Sequence, residues 1–224
     1  MNNPMTLKTY HLAPLSNATP DSVVLFLHGL GDSGAGGLLE IGRIWQRALP
    51  NTEFLCPDAP FAFDMAPPDF AGRQWFSLRE FTQQSIDAGV QAAAPILNAY
   101  IDEVLTTRNL KPAQLALVGF SQGTMMSLHV ALRRAEPLAA VLGYSGVLTN
   151  AGNLNAEHKS SPPVLLIHGT ADEVVPFAAM GEAERILKTL GVEVKTLACP
   201  RMGHSIDDAG IALGMSFLQQ QLTR

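Results

Sequence analysis

The chain of 224 residues is 47% hydrophobic and 16% charged, with a formal charge of -5 and a pI near 5.6, and it carries enough apolar material to form one domain over residues 1–224. Its lysines and arginines are scattered rather than clustered, which excludes a nucleic-acid footprint. No stretch of about 18 apolar residues offers a membrane span, and Met1 to Leu15 holds one lysine without the apolar run of a signal peptide, so the expected location is the cytoplasm.

In chain order, Thr6 to His11 reads as a short edge strand and Ser22 to His28 as the continuous apolar run of a buried parallel strand. A glycine-rich loop follows at once, from His28 to Gly37. Its spacing fits neither the dinucleotide fingerprint nor the phosphate loop. Leu38 to Leu49 has helical spacing ended by Pro50, and Thr52 to Cys56 is the next strand. Pro57 to Leu78 has no clear period: prolines break it, while Phe61, Phe63, Met65, Phe70, Trp75 and Phe76 make it apolar. Such a loop either packs against the body or walls a hydrophobic acyl pocket, where Trp75 and Phe76 are the residues expected to meet substrate.

Gln83 to Thr107 is a long helical stretch interrupted by Pro95. Gln114 to Gly119 is a strand, Ser121 to Arg134 its helix, Leu138 to Ser145 a strand and Asn150 to Pro163 a polar loop. Val164 to His168, Phe177 to Leu190, Glu193 to Ala198 and Ile206 to Leu222 complete the alternation of strand and helix. The expected fold is α/β, with a mainly parallel central sheet and helices on both faces. Cys56 and Cys199 end strands that lie several positions apart in that sheet, so both are expected as free thiols. No histidine or cysteine pair has ligand spacing, so neither a metal nor another cofactor is expected.

The most informative stretch runs from Leu115 to Leu128, where an apolar strand ends at Gly119 and a helix begins just after Ser121. Gly119-Phe120-Ser121-Gln122-Gly123 is a Gly-x-Ser-x-Gly turn, in which a Cβ at either glycine would collide with the neighbouring strand or helix. Ser121 is the candidate nucleophile, and the backbone N–H of Gln122 points at whatever it attacks. Ser145, in Gly143-Tyr144-Ser145-Gly146, lacks the second spaced glycine and a following helix, and reads as the end of an ordinary strand. The glycine loop supplies a second oxyanion donor at Leu30 N–H, or is simply a flexible turn.

A serine nucleophile needs a base, and that base needs an acid, in the order serine, acid, histidine. Asp172, just past a strand end, is the candidate acid, with Glu173 beside it as the alternative and helix capping as a rival role. His204, in the loop after the last strand, is the candidate base. His28 and His168 end apolar strands and read as hydrogen-bonded structural residues.

His28-Gly29-Leu30-Gly31-Asp32-Ser33-Gly34, Trp75-Phe76-Ser77, the Ser121 turn, Gly169-x-x-Asp172-x-Val174-Val175-Pro176 and Gly203-His204 together resemble the phospholipase/carboxylesterase family of α/β-hydrolases, which contains the acyl-protein thioesterases. The resemblance runs from about Val23 to the C-terminus. It implies a sheet ordered 1-2-4-3-5-6-7-8 with early strands sometimes missing, catalytic roles for Ser121, Asp172 and His204, and oxyanion donors at Leu30 and Gln122. The expected partner is a small-molecule or acylated ester substrate, hydrolysed through an acyl-enzyme; dimerisation stays open. Where the family often has a second glycine, this chain has Thr124. The competing readings are a lactone or dienelactone hydrolase and a non-catalytic binding module on the same fold.

Overall fold

The computed structural model describes residues 7–67 and 69–223. Along the chain run β1 (Thr9–Leu12), β2 (Ser22–Leu27), α1 (Gly37–Trp45), β3 (Thr52–Pro57), β4 (Phe61–Ala62), β5 (Arg73–Gln74), α2 (Gln83–Arg108), β6 (Leu115–Phe120), α3 (Gln122–Ala131), β7 (Ala140–Tyr144), α4 (Ala151–Glu157), β8 (Val164–Gly169), α5 (Ala178–Thr189), β9 (Val194–Cys199) and α6 (Asp208–Leu222). Seven strands form one sheet in the order β1-β3-β2-β6-β7-β8-β9. Only β1 is antiparallel to its neighbour, and the other pairs are parallel. These seven reproduce the last seven positions of the expected order.

The continuous apolar runs have a direct cause. Strands β2, β3, β6, β7 and β8 are covered on both faces, so side chains pointing either way are apolar. Alternate residues feed two cores. Val23, Leu25 and Leu27 of β2 pack with Val90, Leu97 and Ile101 of α2 and with α3 and α5, while Val24 and Phe26 pack with Trp45 of α1 and Phe217 and Leu218 of α6. Phe26 lies between Trp45 and Phe54, at ring-centroid distances of 5.7 and 6.1 Å. Cys56 on β3 and Cys199 on β9 are buried free thiols, with β2, β6, β7 and β8 between their strands.

Several boundaries and two elements differ from expectation. Thr6 lies outside the described residues, and the first strand runs to Leu12. Helix α1 stops at Trp45, and a tight turn takes the chain to Leu49, whose N–H bonds Trp45 O. The aperiodic Pro57 to Leu78 segment contains the β4–β5 hairpin, whose strands of two residues are too short to show alternation. The polar Asn150 to Pro163 loop contains α4, which buries only Leu154 and so carries almost no apolar period. Helix α2 runs through Pro95 because that residue is exposed, where the missing N–H and its freed carbonyl partner face solvent. No helix among the described residues is long and apolar enough to cross a membrane.

One buried histidine makes the fold acid-sensitive. His129 on α3 is 4% exposed and its Nδ1 has no partner among the described residues. Burial, reinforced by the Arg133 charge, lowers its pKa from 6.5 to about 4. The unfolded chain therefore takes up this proton below about pH 6.5 while the folded protein does not until about pH 4, so stability is lost on acidification across that window. Between about pH 7.5 and about pH 5 the loss from this group is about 1–2 kcal/mol after allowance for solvent screening. Urea unfolding at the two pH values measures it, and His129→Phe is expected to flatten the difference.

Candidate active site

Strand β6 delivers the chain to Ser121, which adopts φ 53° and ψ -114° and serves as the N-cap of α3. This left-handed backbone is costly for a residue with a side chain, by about 1–3 kcal/mol, and the packing around it shows what enforces it. A Cβ on Gly119 would lie 2.4 Å from the Gly123 carbonyl carbon and from Thr124 N, and one on Gly123 would lie 1.7 Å from Leu27 O. Helix α3 thus sits directly on β2 and β6. Ser121 N donates to Tyr144 O, and Ser121 O accepts from the N–H groups of Thr124 and Met125. Thr124, at the position where glycine is common, has its hydroxyl 2.8 Å from both Gly119 O and Tyr144 O. Its bulk is accommodated across the sheet by Gly143 and Gly146, where added Cβ atoms would come within 2.6 and 2.3 Å of its side chain. Ser145 also takes a positive φ, 47°, and its Oγ is buried without a partner among the described residues, so it is less ordinary than a plain strand end.

The glycine loop lies against this turn. A Cβ on Gly29 would be 3.5 Å from Ser121 Cβ. No hydrogen bond engages the Leu30 or Gln122 N–H group among the described residues. The loop is held from both sides. His28 Nε2 accepts from Ala59 N–H at 3.0 Å, so its Nδ1 carries the proton and donates to Gly29 O at 2.7 Å. Burial holds this imidazole neutral by lowering its pKa. On the far side Gly31 N donates to Arg73 O and Arg73 N to Asp32 O, each at 2.8 Å.

Asp172 and His204 come together. His204 Nδ1 lies 2.8 Å from Asp172 Oδ2, and Asp172 Oδ1 accepts from Val174 and Val175 N–H, each at 2.9 Å. Burial alone would raise the Asp172 pKa, but hydrogen bonds from His204, Val175 and Val174 outweigh it and hold the carboxylate below its ordinary value. The two loops are joined through Ala171 N–H to Met202 O at 2.9 Å, and a Cβ on Gly169 would lie 2.2 Å from that same oxygen. Glu173 is exposed, and Asp172 does not cap α5, whose N-cap position is Phe177. The His204 ring lies tilted against that of Phe120, the neighbour of Ser121, at a centroid distance of 4.8 Å. Ser121 Oγ forms no hydrogen bond to His204 among the described residues; without substrate such contacts are often long and tighten in the complex.

Trp75 and Phe76 are corrected in placement. They are 0% and 3% exposed and form no open wall. Trp75 Nε1 donates to His28 O, Trp75 N donates to Gln122 Oε1, and Gln122 Nε2 donates to Phe76 O. Their backbone and side chains tie the hairpin to the serine turn and the glycine loop. The exposed apolar groups of this region are Phe61, Met65, Phe70 and Phe81. Phe70 and Phe63 pack edge to face at 6.0 Å, beside Gly31.

Residues 15–222 match the family model for phospholipase/carboxylesterase. The chain belongs to the phospholipase/carboxylesterase family. Within it, acyl-protein thioesterase 1 of Emericella nidulans is 30% identical over 209 residues, 85% of this chain and 86% of that protein. Carboxylesterase SOBER1 of Arabidopsis thaliana is 29% identical over 206 residues, 89% and 90% of the two chains. The crystal structure of esterase PE8 superimposes with a TM-score of 0.91 at 36% identity, covering 96% of this chain and 99% of that one. These relatives place the chain among serine hydrolases that act on ester bonds.

What reading the sequence missed is the Gln122 side chain, since only its backbone suggests a role there. Gln122→Ala would keep the N–H but strand two buried groups, Trp75 N–H and Phe76 C=O. The expected cost is about 2–4 kcal/mol, read as a lower denaturation midpoint, with a changed near-ultraviolet signal from Trp75.

Proposed function

We propose that the chain is a serine carboxylesterase with Ser121, His204 and Asp172 as its triad, in the cytoplasm. The observation that carries this is the conjunction, at the C-terminal ends of the strands, of a strained serine, two unengaged N–H donors and a histidine bonded to a buried carboxylate. Neutral His204 takes the Ser121 proton as Oγ adds to the ester carbonyl, and the resulting oxyanion rests on Leu30 and Gln122 N–H. Asp172 holds the Nδ1–H tautomer and stabilises the imidazolium. His204 then gives its proton to the departing alkoxide, leaving an acyl-serine, and water repeats the cycle to release the acid. Each oxyanion donor is worth about 10²–10³ in rate.

The acyl part of the substrate is apolar in this reading, because the uncovered surface beside the Leu30 loop is aromatic. Phe70, 50% exposed, stands next to Gly31. Thioesters follow the same chemistry and are a natural second substrate, in line with the thioesterase names of the relatives.

Steady-state kcat/KM for p-nitrophenyl esters from acetate to palmitate, beside an acyl-CoA thioester, tests the assignment. Ser121→Ala is expected to lose on the order of 10⁶-fold in kcat and all labelling by a fluorophosphonate; a variant keeping a tenth of the rate would remove Ser121 as nucleophile. Phe70→Ala is expected to raise KM for the longer esters and leave acetate turnover nearly unchanged.

A further inference from the structure

Asp172 is approached by a second histidine that the triad does not use. His168, on β8, is 1% exposed, and its Nε2 lies 3.0 Å from Val175 O and 3.2 Å from Asp172 Oδ2. Both neighbours are oxygens, so a lone pair on Nε2 would face two negative ends. The proton is therefore on Nε2, directed at Val175 O, with the carboxylate oxygen beside the same N–H dipole. The Phe177 ring stands edge-on to the imidazole at 6.0 Å and fixes its plane.

We infer that His168 is a positioning residue for the candidate catalytic acid, acting by closing the Asp172–Val175 turn from behind. Val175 is the hinge of the argument. Its N–H binds Asp172 Oδ1 and its C=O binds His168, so the one peptide segment that seats the carboxylate is anchored to the central sheet through this ring. The carboxylate has one rotation to control, about its Cβ–Cγ bond. Val174 and Val175 N–H hold Oδ1 and thereby aim Oδ2 at His204 Nδ1. If the Val175 carbonyl were released, both N–H groups would move with the loop, and the His204 bond would lengthen. The titratable groups around the ring are few. Asp172 lies on its own loop and His204 bears on the same oxygen; the partner of His168 across β9 is Ala198; Met180 and Ala183 of α5, Leu128 and Thr124 of α3 and Ser145 line one small cavity with it, none of them titratable. Glu173 is exposed.

This inference rests on the triad reading, and the experiment separates the two. The pH dependence of kcat/KM is measured for the wild type, Asp172→Asn, His168→Gln, His168→Asn and His168→Leu, with melting temperatures for each. Glutamine carries an amide N–H where the imidazole has Nε2, so His168→Gln should keep kcat and the acidic limb of the profile near the wild type. His168→Leu should lose about 10–100-fold in kcat, the scale of a reacting group displaced by up to about 1 Å, with KM little changed. Its limb should move to lower pH, because a poorly seated carboxylate stabilises the imidazolium less and the base loses its proton earlier. His168→Asn, too short to reach Val175, should behave like the leucine variant and decides the matter if leucine prevents folding. A folded leucine or asparagine variant with kcat within about twofold of the wild type, or with its limb unmoved or shifted to higher pH, overturns the positioning role. If Asp172→Asn remains fully active, the triad reading falls and this inference with it; if only the His168 variants remain active, the triad stands and His168 is structural.

Discussion

The close approach of α3 to the sheet governs everything else at this site. With a Cβ at Gly123 only 1.7 Å from Leu27 O, no other residue lets the helix begin where it does. The consequence is the Ser121 backbone at φ 53°: the chain must turn from strand to helix within one residue, and it does so at the serine. Core burial supplies the energy for that strain. Strands β2 and β6, which meet beneath the turn, are among the most completely buried elements of the chain, and the cost of one left-handed residue is small beside them.

A second layer of organisation is polar and lies wholly out of contact with solvent. His28, Gln122 and Trp75 are buried, and each has hydrogen-bonding atoms matched to backbone groups of other segments. Their common effect is to join three pieces that the sequence separates widely: the glycine loop, the β4–β5 hairpin and the serine turn. Buried donors and acceptors are expensive to leave unpaired, about 1–3 kcal/mol each. Each link is therefore all-or-none, and together they hold the glycine loop against the serine turn. The same reasoning applies at the other end of the site, where the Asp172 carboxylate is enclosed yet kept ionised by N–H donors rather than by a cation.

The fold was largely legible in the sequence, because parallel strands covered on both faces leave uninterrupted apolar runs and helices between them leave a 3.6-residue period. The elements that escaped are those with no period to show: a hairpin whose strands have two residues each and a seven-residue helix that buries one leucine. The spacing of glycines gave away the serine turn, since the steric demand at Gly119 and Gly123 is local. Asp172 and His204 were singled out by topology, being past the ends of β8 and β9, and the fold brings their side chains together. Trp75 and Phe76 were misplaced for a physical reason: an aromatic pair in an apolar loop looks the same whether it lines a pocket or roots the loop, and only burial distinguishes them. The polar contacts of His28, Gln122 and His168 were beyond reach, since which strand-end histidine meets which carbonyl depends on packing between distant segments.

The Pro57 to Leu78 loop divides in the same way between fixed roots and an exposed middle. Its two ends are fixed, with Ala59 bound to His28 and Trp75 and Phe76 bound to Gln122, while Arg73 reaches back to Ala59 O and Pro60 O. Its middle carries the half-exposed Phe61, Met65 and Phe70. A change in the middle leaves the roots in place, so this exposed apolar surface can vary without moving Leu30 or Ser121. A change at a root disturbs both, because the bonds that hold the loop also hold the glycine turn. A cavity of about 680 Å³ does exist at the opposite edge of the sheet, lined by Ser22, Thr52 and Ala139 among others. It lies at the N-terminal ends of the strands, whereas Ser121, Asp172 and His204 all follow C-terminal ends, the side on which crossover connections leave loops free to converge. Cavity size and strand direction thus point to opposite ends of the sheet, and the proposed function follows the direction of the strands.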